Sequence, residues 1–490
     1  MDYEPLIGLE IHAELATLSK LFCSCPVEFD QVPNSLTCPV CLGLPGSLPV
    51  VNRKAVELAG RAILALGGRV NGFSRFARKN YFYPDTPKGY QITQHDFPLG
   101  WGGEVMVEKE EMRQTVAIKR IHLEEDAGKL VHQGAGDGRL SSAEATLVDY
   151  NRCGVPLIEI VSEAQITSAD MAQSYLEEVK RILEYAGISD CRMDQGSLRV
   201  DGNISLHPRG SCQWGERVEI KNLSSGRALT RALNYEMQRQ GILLRRGKTV
   251  AAETRHWDEA KEVTVVSRSK ETQSDYRYFP EPDLPPLGLS ETYIEELARS
   301  LPELPGQRRK RLQQQQGLSP YVARVLTDTR ELADFYEETV AQGVCGALAA
   351  NWIMGELMYH TKGQGRSLTR LPFGAKTLGR LLRLTQAGDI SAKVTKEALA
   401  RMFDQGVDPL EWIEEQGLSQ ISDEGLLVPV VDQILEDNTA VVESYHAGKV
   451  RALDRLVGQV MQATRGRANP RMVNDLLRER LGSWPRNLKR

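Results

Sequence analysis

Two short acidic segments carry the residue types that hold a divalent cation. The first alternates carboxylates with an imidazole at Glu10, His12 and Glu14, and in a strand these side chains share one face. The second, residues 122–129, holds three consecutive carboxylates: Glu124, Glu125 and Asp126. Carboxylate oxygens with an imidazole suit magnesium or manganese beside phosphates. Carboxylate runs are also common on protein surfaces, so a solvated acidic face is the alternative for each segment.

A tyrosine-rich segment, residues 78–94, supplies cations and aromatic rings. Its candidate site residues are Arg78, Lys79, Tyr81, Tyr83 and Lys88. The Pro and Gly residues of this segment exclude a helix interior. The composition predicts an irregular loop and a strand lining a site, with donors for anions and rings for stacking. The alternative is a solvated connector.

Four of the eight cysteines form two close pairs, C-x-C followed after twelve residues by C-x-x-C: Cys23, Cys25, Cys38 and Cys41. Turn-forming Pro and Gly residues flank the pairs, as in a tetrahedral zinc knuckle. Four protein ligands leave no open position, so the spacing predicts a structural rather than a catalytic zinc. The alternative is a set of free thiols.

The chain contains no P-loop, no dinucleotide-binding glycine motif opening a helix after a strand, and no G-x-S-x-G elbow. ATP chemistry would therefore depend on dispersed side chains and a metal. Charged side chains also alternate with apolar ones in residues 149–159 and 190–203, and residues 219–225 carry charge beside a predicted helix start. We expect several of these to line a cleft, with Glu159 and Arg199 as candidates.

Strand patterns dominate residues 1–290, which predicts an α+β domain. The predicted strands are Leu6–Glu14, Thr115–Leu123, Glu144–Asn151, Leu157–Glu163, Leu198–Ser205 and Arg217–Leu223. The predicted helices there run from the Ser168 cap to about Ala186 and from Gly226 to Gln240. Helical patterns follow at Glu291–Ser300, Pro320–Gln342, Ala347–Met358, Thr377–Ala387 and Thr395–Gln405.

The 490 residues exceed a single core, and we expect three domains: 1–290, 291–408 and 409–490. A net charge of −4 excludes a uniformly basic nucleic-acid coat but not a local patch. Residues 445–490 hold eleven Lys and Arg against three Asp and Glu, leaving +8. A polyphosphate partner or a solvated helical face explains this tail equally well. No 18-residue apolar run or signal peptide is found, which predicts a cytoplasmic protein.

Several long motifs, taken in order, resemble the B subunit of the tRNA-dependent amidotransferases. They comprise Ile7–His12, Arg78–Gln94, His122–Lys129, Asp149–Glu159, Ser269–Asp283, Gly417–Asp423 and Val457–Met461. The resemblance covers nearly the whole chain. It implies an N-terminal catalytic cradle related to the glutamine synthetase fold, an all-α helical domain and a small all-α tail domain that contacts tRNA.

The resemblance also implies a reaction and partners. ATP and magnesium would phosphorylate the side-chain carboxylate of mischarged Glu-tRNA(Gln) or Asp-tRNA(Asn). The partners would be a glutaminase (the A subunit of a heterotrimer) and a small C subunit. Ammonia channelled from the glutaminase would then displace the phosphate. An acyl phosphate is a far better electrophile than a carboxylate, and magnesium and cations offset charge during phosphoryl transfer.

Roles within the motifs follow from residue type. We expect Glu10, His12, Glu125 and Lys79 to be catalytic. The magnesium ligands would be Glu10, His12, Glu124, Glu125 and Glu159. Nucleotide or tRNA contacts would come from Arg78, Lys79, Tyr81, Tyr83, Lys88 and Arg199. Three features depart from the family pattern: the four cysteines occur in only part of it, and Asp194-Gln195 and Asp454-Arg455 differ from it.

Two rival functions are compatible with parts of the sequence. A non-catalytic zinc-containing tRNA-binding protein explains the cysteines and the basic tail but leaves the acidic segments idle. A free-standing ATP-dependent ligase would use glutamine by itself, yet no amidase nucleophile arrangement is present, so we expect ammonia but not glutamine to serve the isolated chain.

Overall fold

A computed structural model describes residues 3–109, 112–134, 143–211, 214–269, 276–364, 368–420, 424–449, 451–464 and 467–483. Parts of three predicted features lie outside these residues: 270–275 of one motif, 421–423 of another, and four charged positions of the basic tail, Arg465, Arg486, Lys489 and Arg490. The chain divides into two compact units, Met1–Pro305 and Gly306–Arg490.

The first unit contains the strands. They are β1 (Tyr3–Glu14), β2 (Arg69–Val70), β3 (Phe73–Ser74), β4 (Ala77–Asn80), β5 (Tyr90–Thr93), β6 (Gly100–Trp101), β7 (Glu104–Lys109), β8 (Met112–Glu125), β9 (Lys129–Gln133), β10 (Ala145–Asp149), β11 (Pro156–Ser162), β12 (Leu198–Pro208), β13 (Val218–Leu223), β14 (Glu253–Asp258), β15 (Val263–Ser269), β16 (Phe279–Pro280) and β17 (Leu287–Gly288). The six predicted strands are all confirmed, and the mixed α+β class with them.

A ten-stranded sheet runs in the order β15-β14-β13-β12-β1-β11-β8-β6-β2, with β7 pairing to β8. Its pairs are antiparallel except for the parallel pair of β13 and β14. The twelve-residue strand β1 lies centrally; it pairs with β12 from Tyr3 to Ala13 and with β11 from Glu10 to Glu14. A strand in this position buries one face fully, which explains the alternation of apolar and polar side chains in β1.

Helices α1 (Arg53–Ala65), α2 (Ala169–Tyr185), α3 (Gly226–Arg245) and α4 (Glu291–Arg299) belong to the same unit. The Ser168 and Ser225 hydroxyls cap α2 and α3 by accepting hydrogen bonds from backbone N–H groups. The predicted end of α3 at Gln240 is wrong, because the helix continues through Gly241. One interior glycine costs only about 1 kcal/mol, and Leu243 beyond it packs against the core.

A small sheet, β16-β4-β5, presents the tyrosine-rich segment. In it Lys79 pairs with Gln91, and Arg78 pairs with both Ile92 and Phe279. Neighbouring residues of a strand point to opposite faces, so Arg78 and Lys79 are sent to different surroundings. The two further small sheets pair β10 with β9 and β17 with β3.

The second unit is helical. Its helices are α5 (Pro305–Gln316), α6 (Pro320–Leu326), α7 (Arg330–Val340), α8 (Gly346–Trp352), α9 (Met358–Gln364), α10 (Ala375–Ala387), α11 (Ala392–Gln405), α12 (Pro409–Glu415), α13 (Glu424–Asp437), α14 (Thr439–His446), α15 (Arg451–Ala463) and α16 (Pro470–Ser483). A π-helical stretch, Ile353–Leu357, joins α8 to α9, and a 3-10 turn covers Leu368–Arg370.

The single helix predicted over Pro320–Gln342 is wrong, since the structure has two. The chain breaks after Leu326 and restarts at Thr329, whose hydroxyl accepts a hydrogen bond from Leu332 N. Threonine hydroxyls favour caps over helix interiors because they bond to nearby backbone groups.

Two hydrophobic cores lie in the second unit. One spans Leu312 to Ile413, and the other spans Leu427 to Leu481. Helix α12 contributes Trp412 to the first of these cores. The predicted division at 290 and 408 stays a prediction; α4 packs with α1 of the first unit, and the second core begins only at Leu427. No helix among the described residues is long and apolar enough to cross a membrane.

Candidate active site

The site is built on the polar face of the central strands. Leu9, Ile11 and Ala13 of β1 are fully buried in the hydrophobic core. Strand alternation therefore turns Glu10 and His12 to the opposite face. Helices α2 and α3 pack on the core side, so the polar face is where the sheet gathers its charged side chains.

Strand register places four of these side chains side by side on neighbouring strands. His12 lies opposite Arg199 of β12 and opposite Glu159 of β11, and Glu159 lies opposite His122 of β8. Directly opposed residues on one face have Cβ atoms about 5 Å apart. Residues almost 190 positions apart in sequence are thereby brought into one cluster.

His12, Glu124, His122 and Glu159 form a cluster, the acidic row, with Glu159 in contact with both imidazoles. His12 Nε2 lies 3.5 Å from Glu159 Oε2 and 3.8 Å from Glu124 Oε1. His122 Nε2 lies 3.3 Å from the same Glu159 oxygen and 3.5 Å from Glu124 Oε2. One ligand atom from each of His12, Glu124 and Glu159 lies within 4.8 Å of the others, so these three residues suit a metal ion.

A second group of three shares His12. It adds Glu10, whose Oε1 is 3.7 Å from His12 Nε2, and Asp201 of β12. Asp201 lies opposite Glu10 in the sheet and accepts a hydrogen bond from Lys221 Nζ at 2.9 Å. The polar face thus continues as a band of carboxylates and imidazole across β8, β11, β1 and β12.

Mutual charge interactions shift the pKa values in this band. Burial acts to lower the pKa of His122, but Glu159 and Glu124 outweigh it and raise that pKa to about 9. Against the effect of burial, His122 and His12 hold the pKa of Glu159 well below its usual range. Burial and the charge of Glu159 raise the pKa of Glu10. Glu159 is therefore ionised at neutral pH.

A neighbouring cluster lies at the end of β1. Arg199 donates a hydrogen bond of 2.7 Å to Asp126, and Arg152 Nε lies 3.5 Å from the same carboxylate oxygen. Burial and the nearby Asp126 raise the pKa of Glu14 to about 8. Arg199 is thus held next to His12 of the neighbouring strand, with part of its charge offset by Asp126.

The structure does not bring Glu125 together with Glu10 and His12. Glu125 follows Glu124 directly, so its side chain points to the opposite face of β8. There it forms a buried ion pair with Lys88 Nζ and accepts a hydrogen bond of 2.8 Å from Ile92 N. The expectation that Glu125 binds the same metal as Glu10 and His12 is therefore corrected, because strand alternation separates it from Glu124. Lys88, expected to contact nucleotide, is instead paired with Glu125.

Arg78 is likewise engaged elsewhere. Its guanidinium donates bonds of 2.7 and 2.8 Å to the two oxygens of buried Glu281, and one of 3.0 Å to Asp283. It also lies 4.2 Å from the centre of the Tyr90 ring. This pairing stabilises the β16-β4-β5 sheet and leaves the cation little capacity for a phosphate.

Lys79 lies near enough to the acidic row for its carboxylates to affect the pKa of the lysine. Burial acts to lower its pKa, but Glu124, Tyr278 and Glu159 outweigh burial and raise it. Lys79 Nζ lies 5.0 Å from the centre of the Tyr276 ring. Tyr81 stacks edge-on against the same Tyr276, with ring centres 6.4 Å apart.

The predicted aromatic contacts divide between two places. Tyr81 lies with Lys79 near the carboxylates, and burial raises its pKa. Tyr83 is half exposed, in a loop next to Phe82 and Gly89. The geometry therefore brings Tyr81 to the site and does not bring Tyr83 there.

The four knuckle cysteines converge as their spacing predicts. One sulfur from each of Cys23, Cys25, Cys38 and Cys41 lies within 4.8 Å of the others, so the cluster suits a metal ion. Cys38 and Cys41 Sγ are 3.9 Å apart. A hydrogen bond from the Cys23 thiol lowers the pKa of Cys41 to about 4, as suits a thiolate ligand.

Residue reasoning alone missed His122 and Asp201 as members of the site. Both lie in segments recognised as polar, and each lies two residues from a predicted site residue. His122 is two residues before Glu124, and Asp201 is two residues after Arg199. That alternation was the available signal. The pairing of β8 with β11 and of β1 with β12 was needed to use it.

Two protein-family models match this chain. A family model described as the GatB/GatE catalytic domain matches residues 5–295, which include every residue of the acidic row. A second model, described as a GatB domain, matches residues 334–481.

The chain belongs to the GatB/GatE family. It is 50% identical over 481 residues to the aspartyl/glutamyl-tRNA(Asn/Gln) amidotransferase B subunit of Carboxydothermus hydrogenoformans, covering 98% of this chain and 99% of the relative. The protein of the same name from Moorella thermoacetica is 49% identical over 482 residues, covering 98% and 100%. That of Clostridium botulinum is 47% identical over 480 residues, covering 98% and 99%. GatB-family chains are subunits of carbon–nitrogen ligases, and this chain is such a subunit.

Proposed function

We propose that this chain carries out the ATP-dependent transamidation of Glu-tRNA(Gln), Asp-tRNA(Asn) or both. The observation that carries the proposal is the cluster of His12, Glu159, Glu124 and His122 on the polar face of the sheet. Lys79 lies near enough for Glu124 and Glu159 to raise its pKa. Hard oxygen ligands next to a buried cation match the needs of a magnesium–phosphate site.

The residues present fit a divalent cation. Glu124 and Glu159 are ionised, because the neighbouring imidazoles keep their pKa values low. Glu10 and Asp201 extend the set toward β12. When bound, magnesium would offset the charge of the triphosphate and orient its terminal phosphate for transfer. Glu125 is absent from this set, and we assign it a positioning role through Lys88.

The chain's own residues would supply the remaining positioning. Lys79, held by the carboxylates and by the Tyr276 ring, would contact phosphate oxygens. Arg199 would contact the side-chain carboxylate of the aminoacyl ester, as a partly compensated guanidinium suited to bidentate carboxylate binding. Tyr81 would stack on a base of the nucleotide or of the tRNA end.

The reaction then follows in two displacements. An oxygen of the side-chain carboxylate attacks the terminal phosphorus of ATP, and the bond to ADP breaks. Ammonia next attacks the resulting acyl phosphate, phosphate leaves, and the amide forms with loss of a proton. Because acyl phosphates hydrolyse readily, this surface must be covered while the intermediate exists.

The finer features of the family belong to the same proposal. We propose that the cradle is related to the glutamine synthetase fold, that the four cysteines bind a structural zinc, and that the tail domain contacts tRNA. We also propose that ammonia comes from a glutaminase, the A subunit of a heterotrimer that includes a small C subunit. Such an assembly, acting on charged tRNA, would work in the cytoplasm.

The test is an amidation assay with both mischarged tRNAs, ATP and magnesium, using the heterotrimer with glutamine and the isolated chain with ammonium. We expect amidated tRNA from both preparations, ADP formed in step with amide, and no product without magnesium. Tight tRNA binding without amidation by either preparation would instead support the non-catalytic binding protein.

A further inference from the structure

Lys20 is a completely buried lysine beside the cysteine cluster. It follows β1, and none of its surface is exposed. Its Nζ donates to Leu36 O at 2.8 Å, to Tyr150 O at 3.4 Å and to Cys41 Sγ at 3.7 Å. An ammonium has three donors, so these three acceptors use all of them.

The charge of this ammonium is not offset by a carboxylate. Within the described ranges, no Asp or Glu oxygen forms an ion pair with Lys20, and the nearby Glu125 is already paired with Lys88. Burying an ammonium in a protein interior is costly unless it is paired. Two of its acceptors are neutral carbonyls, so the remaining counter-charge has to come from sulfur.

We infer that Lys20 is the outer charge-balancing cation of the cysteine metal centre. A divalent ion with four thiolates carries a net charge of −2, and a cation in contact with one thiolate offsets part of it. This inference rests on the proposed metal in the cysteine cluster and adds a residue outside the four ligands. Groups contacting metal ligands tune affinity as well as orientation.

The surrounding backbone is built to hold Lys20 in place. Gly154 has a φ of +85°, and a Cβ there would lie 3.5 Å from both Lys20 Cδ and Cys41 Cβ. Lys20 N also donates to Cys25 O at 3.0 Å, which ties the lysine to the first cysteine pair. The side chain is thereby packed against both the cluster and the segment that leads into β11.

The test compares zinc binding by the full-length chain and three variants. Lys20→Met removes the charge and the donors but keeps an unbranched side chain, whereas Lys20→Gln removes the charge and keeps a donor. Lys54→Met is the matched control, because Lys54 lies on the exposed start of α1 and pairs with Glu57. Zinc content and zinc transfer to a chromophoric chelator are measured at one pH.

We expect one zinc per chain in the unsubstituted protein and in Lys54→Met. Both Lys20 variants should bind zinc roughly 10–100-fold more weakly. Zinc affinity within twofold of the control in both Lys20 variants would overturn the role of Lys20 alone. Wild-type affinity in Lys20→Gln with loss in Lys20→Met would also overturn it, by showing that hydrogen bonding rather than charge matters.

An unsubstituted chain that binds no zinc would overturn both this inference and the proposed zinc site, while leaving the magnesium chemistry untouched. If neither Lys20 variant folds, a crystal structure of the zinc-loaded unsubstituted chain decides. Nζ in contact with a zinc-bound Cys41 sulfur supports the inference, and Nζ paired with a carboxylate overturns it.

Discussion

Adjacent carboxylates in this protein have different roles because a strand separates them. Glu124 faces His12 and His122, whereas Glu125 faces Lys88 on the other side of β8. The same alternation sends Lys79 toward the acidic row and Arg78 to Glu281. The local rule is simple, but its consequence for chemistry depends on what each face of the strand meets.

Glu159 is the carboxylate on which the metal site depends most, because it contacts both imidazoles. Glu159→Gln removes its charge while keeping its size. We expect kcat/KM for amidation with ammonium to fall by at least about 100-fold, equivalent to about 2.7 kcal/mol. Binding of charged tRNA, measured by filter retention, should stay within twofold of wild type.

Glu57→Gln provides the matched control for that substitution. Glu57 lies on α1 and pairs with Lys54 at 2.6 Å, away from the polar face. It should keep full activity. Full activity in Glu159→Gln as well would contradict the assignment of the acidic row as the metal site.

Glu125 is expected to act through stability. Glu125→Gln leaves the buried Lys88 ammonium without its partner, and breaking a buried ion pair in this way costs about 3–5 kcal/mol. We expect a lower midpoint in urea unfolding followed by tryptophan fluorescence. Lys88→Met combined with Glu125→Gln should recover most of the loss, since no buried charge then remains. Equal stability of Glu125→Gln and wild type would show that the pair with Lys88 does not stabilise the fold.

At the scale of elements, the loop that carries the four cysteines (the cysteine loop, residues 23–41) is hydrogen-bonded to the segment before β11. Asn151 Oδ1 accepts a hydrogen bond from Leu36 N at 2.8 Å, and its Nδ2 donates to Val32 O at 2.8 Å. Asn34 Nδ2 adds a bond to Val148 O at 3.0 Å. Side-chain hydrogen bonds to the backbone thereby connect the cysteine loop to the segment that leads into β11, the strand that carries Glu159.

Asn151→Ala removes two of these bonds without touching a cysteine. Each bond contributes about 1 kcal/mol, so we expect local opening of the loop to become roughly 10-fold or more frequent. Hydrogen–deuterium exchange should report faster exchange in peptides covering residues 32–41. Peptides of α11 serve as the internal reference, and unchanged exchange at Leu36 would show that the loop is held by other contacts.

Two glycines in the turn between β6 and β7 differ in the space around them. A Cβ on Gly103 would lie 2.5 Å from Leu66 O, whereas one on Gly102 meets no atom within 4 Å; both glycines have positive φ. Gly102→Ala therefore carries only the backbone strain, about 1–2 kcal/mol. Gly103→Ala should lower the thermal midpoint clearly further, and equal midpoints would contradict the close approach.

At the scale of the whole molecule, the basic tail forms part of a folded helical core. Leu453, Leu456 and Val473 are buried in it. Arg471 and Arg478, one heptad apart on α16, are exposed. The apolar and basic residues of the tail are thus segregated on α16, which leaves the positive charge available to a polyphosphate partner.

Replacing Arg471 and Arg478 by Gln should weaken tRNA binding. Each lost phosphate contact reduces the magnitude of the slope of log affinity against log salt concentration by about 0.7–0.9. The slope of the double variant should therefore be smaller in magnitude by up to about 1.8. Binding is measured at several salt concentrations, with Arg299→Gln on α4 as the control for loss of an exposed arginine outside the tail. An unchanged slope would favour the solvated-face alternative for the tail.

The sequence by itself determined six of the strands, the polar alternation in β1, the convergence of four closely spaced cysteines and the family. These follow from local periodicity, from short spacings and from long motifs. It also indicated where helices begin, because Ser168 and similar caps act within a few residues. It did not determine where α3 ends or that residues 320–342 form two helices, because tertiary packing and a competing cap decide those points.

Only the tertiary structure decided which charged residues meet. Residues such as His12, Glu159 and Arg199 become neighbours because β1 pairs with β11 and with β12. Which strands pair is a long-range property that the pattern within one strand does not specify. The pairing of Lys88 with Glu125, and of Arg78 with Glu281, was decided in the same way. Charged groups that look equivalent in sequence are separated because each face of a strand meets a different environment.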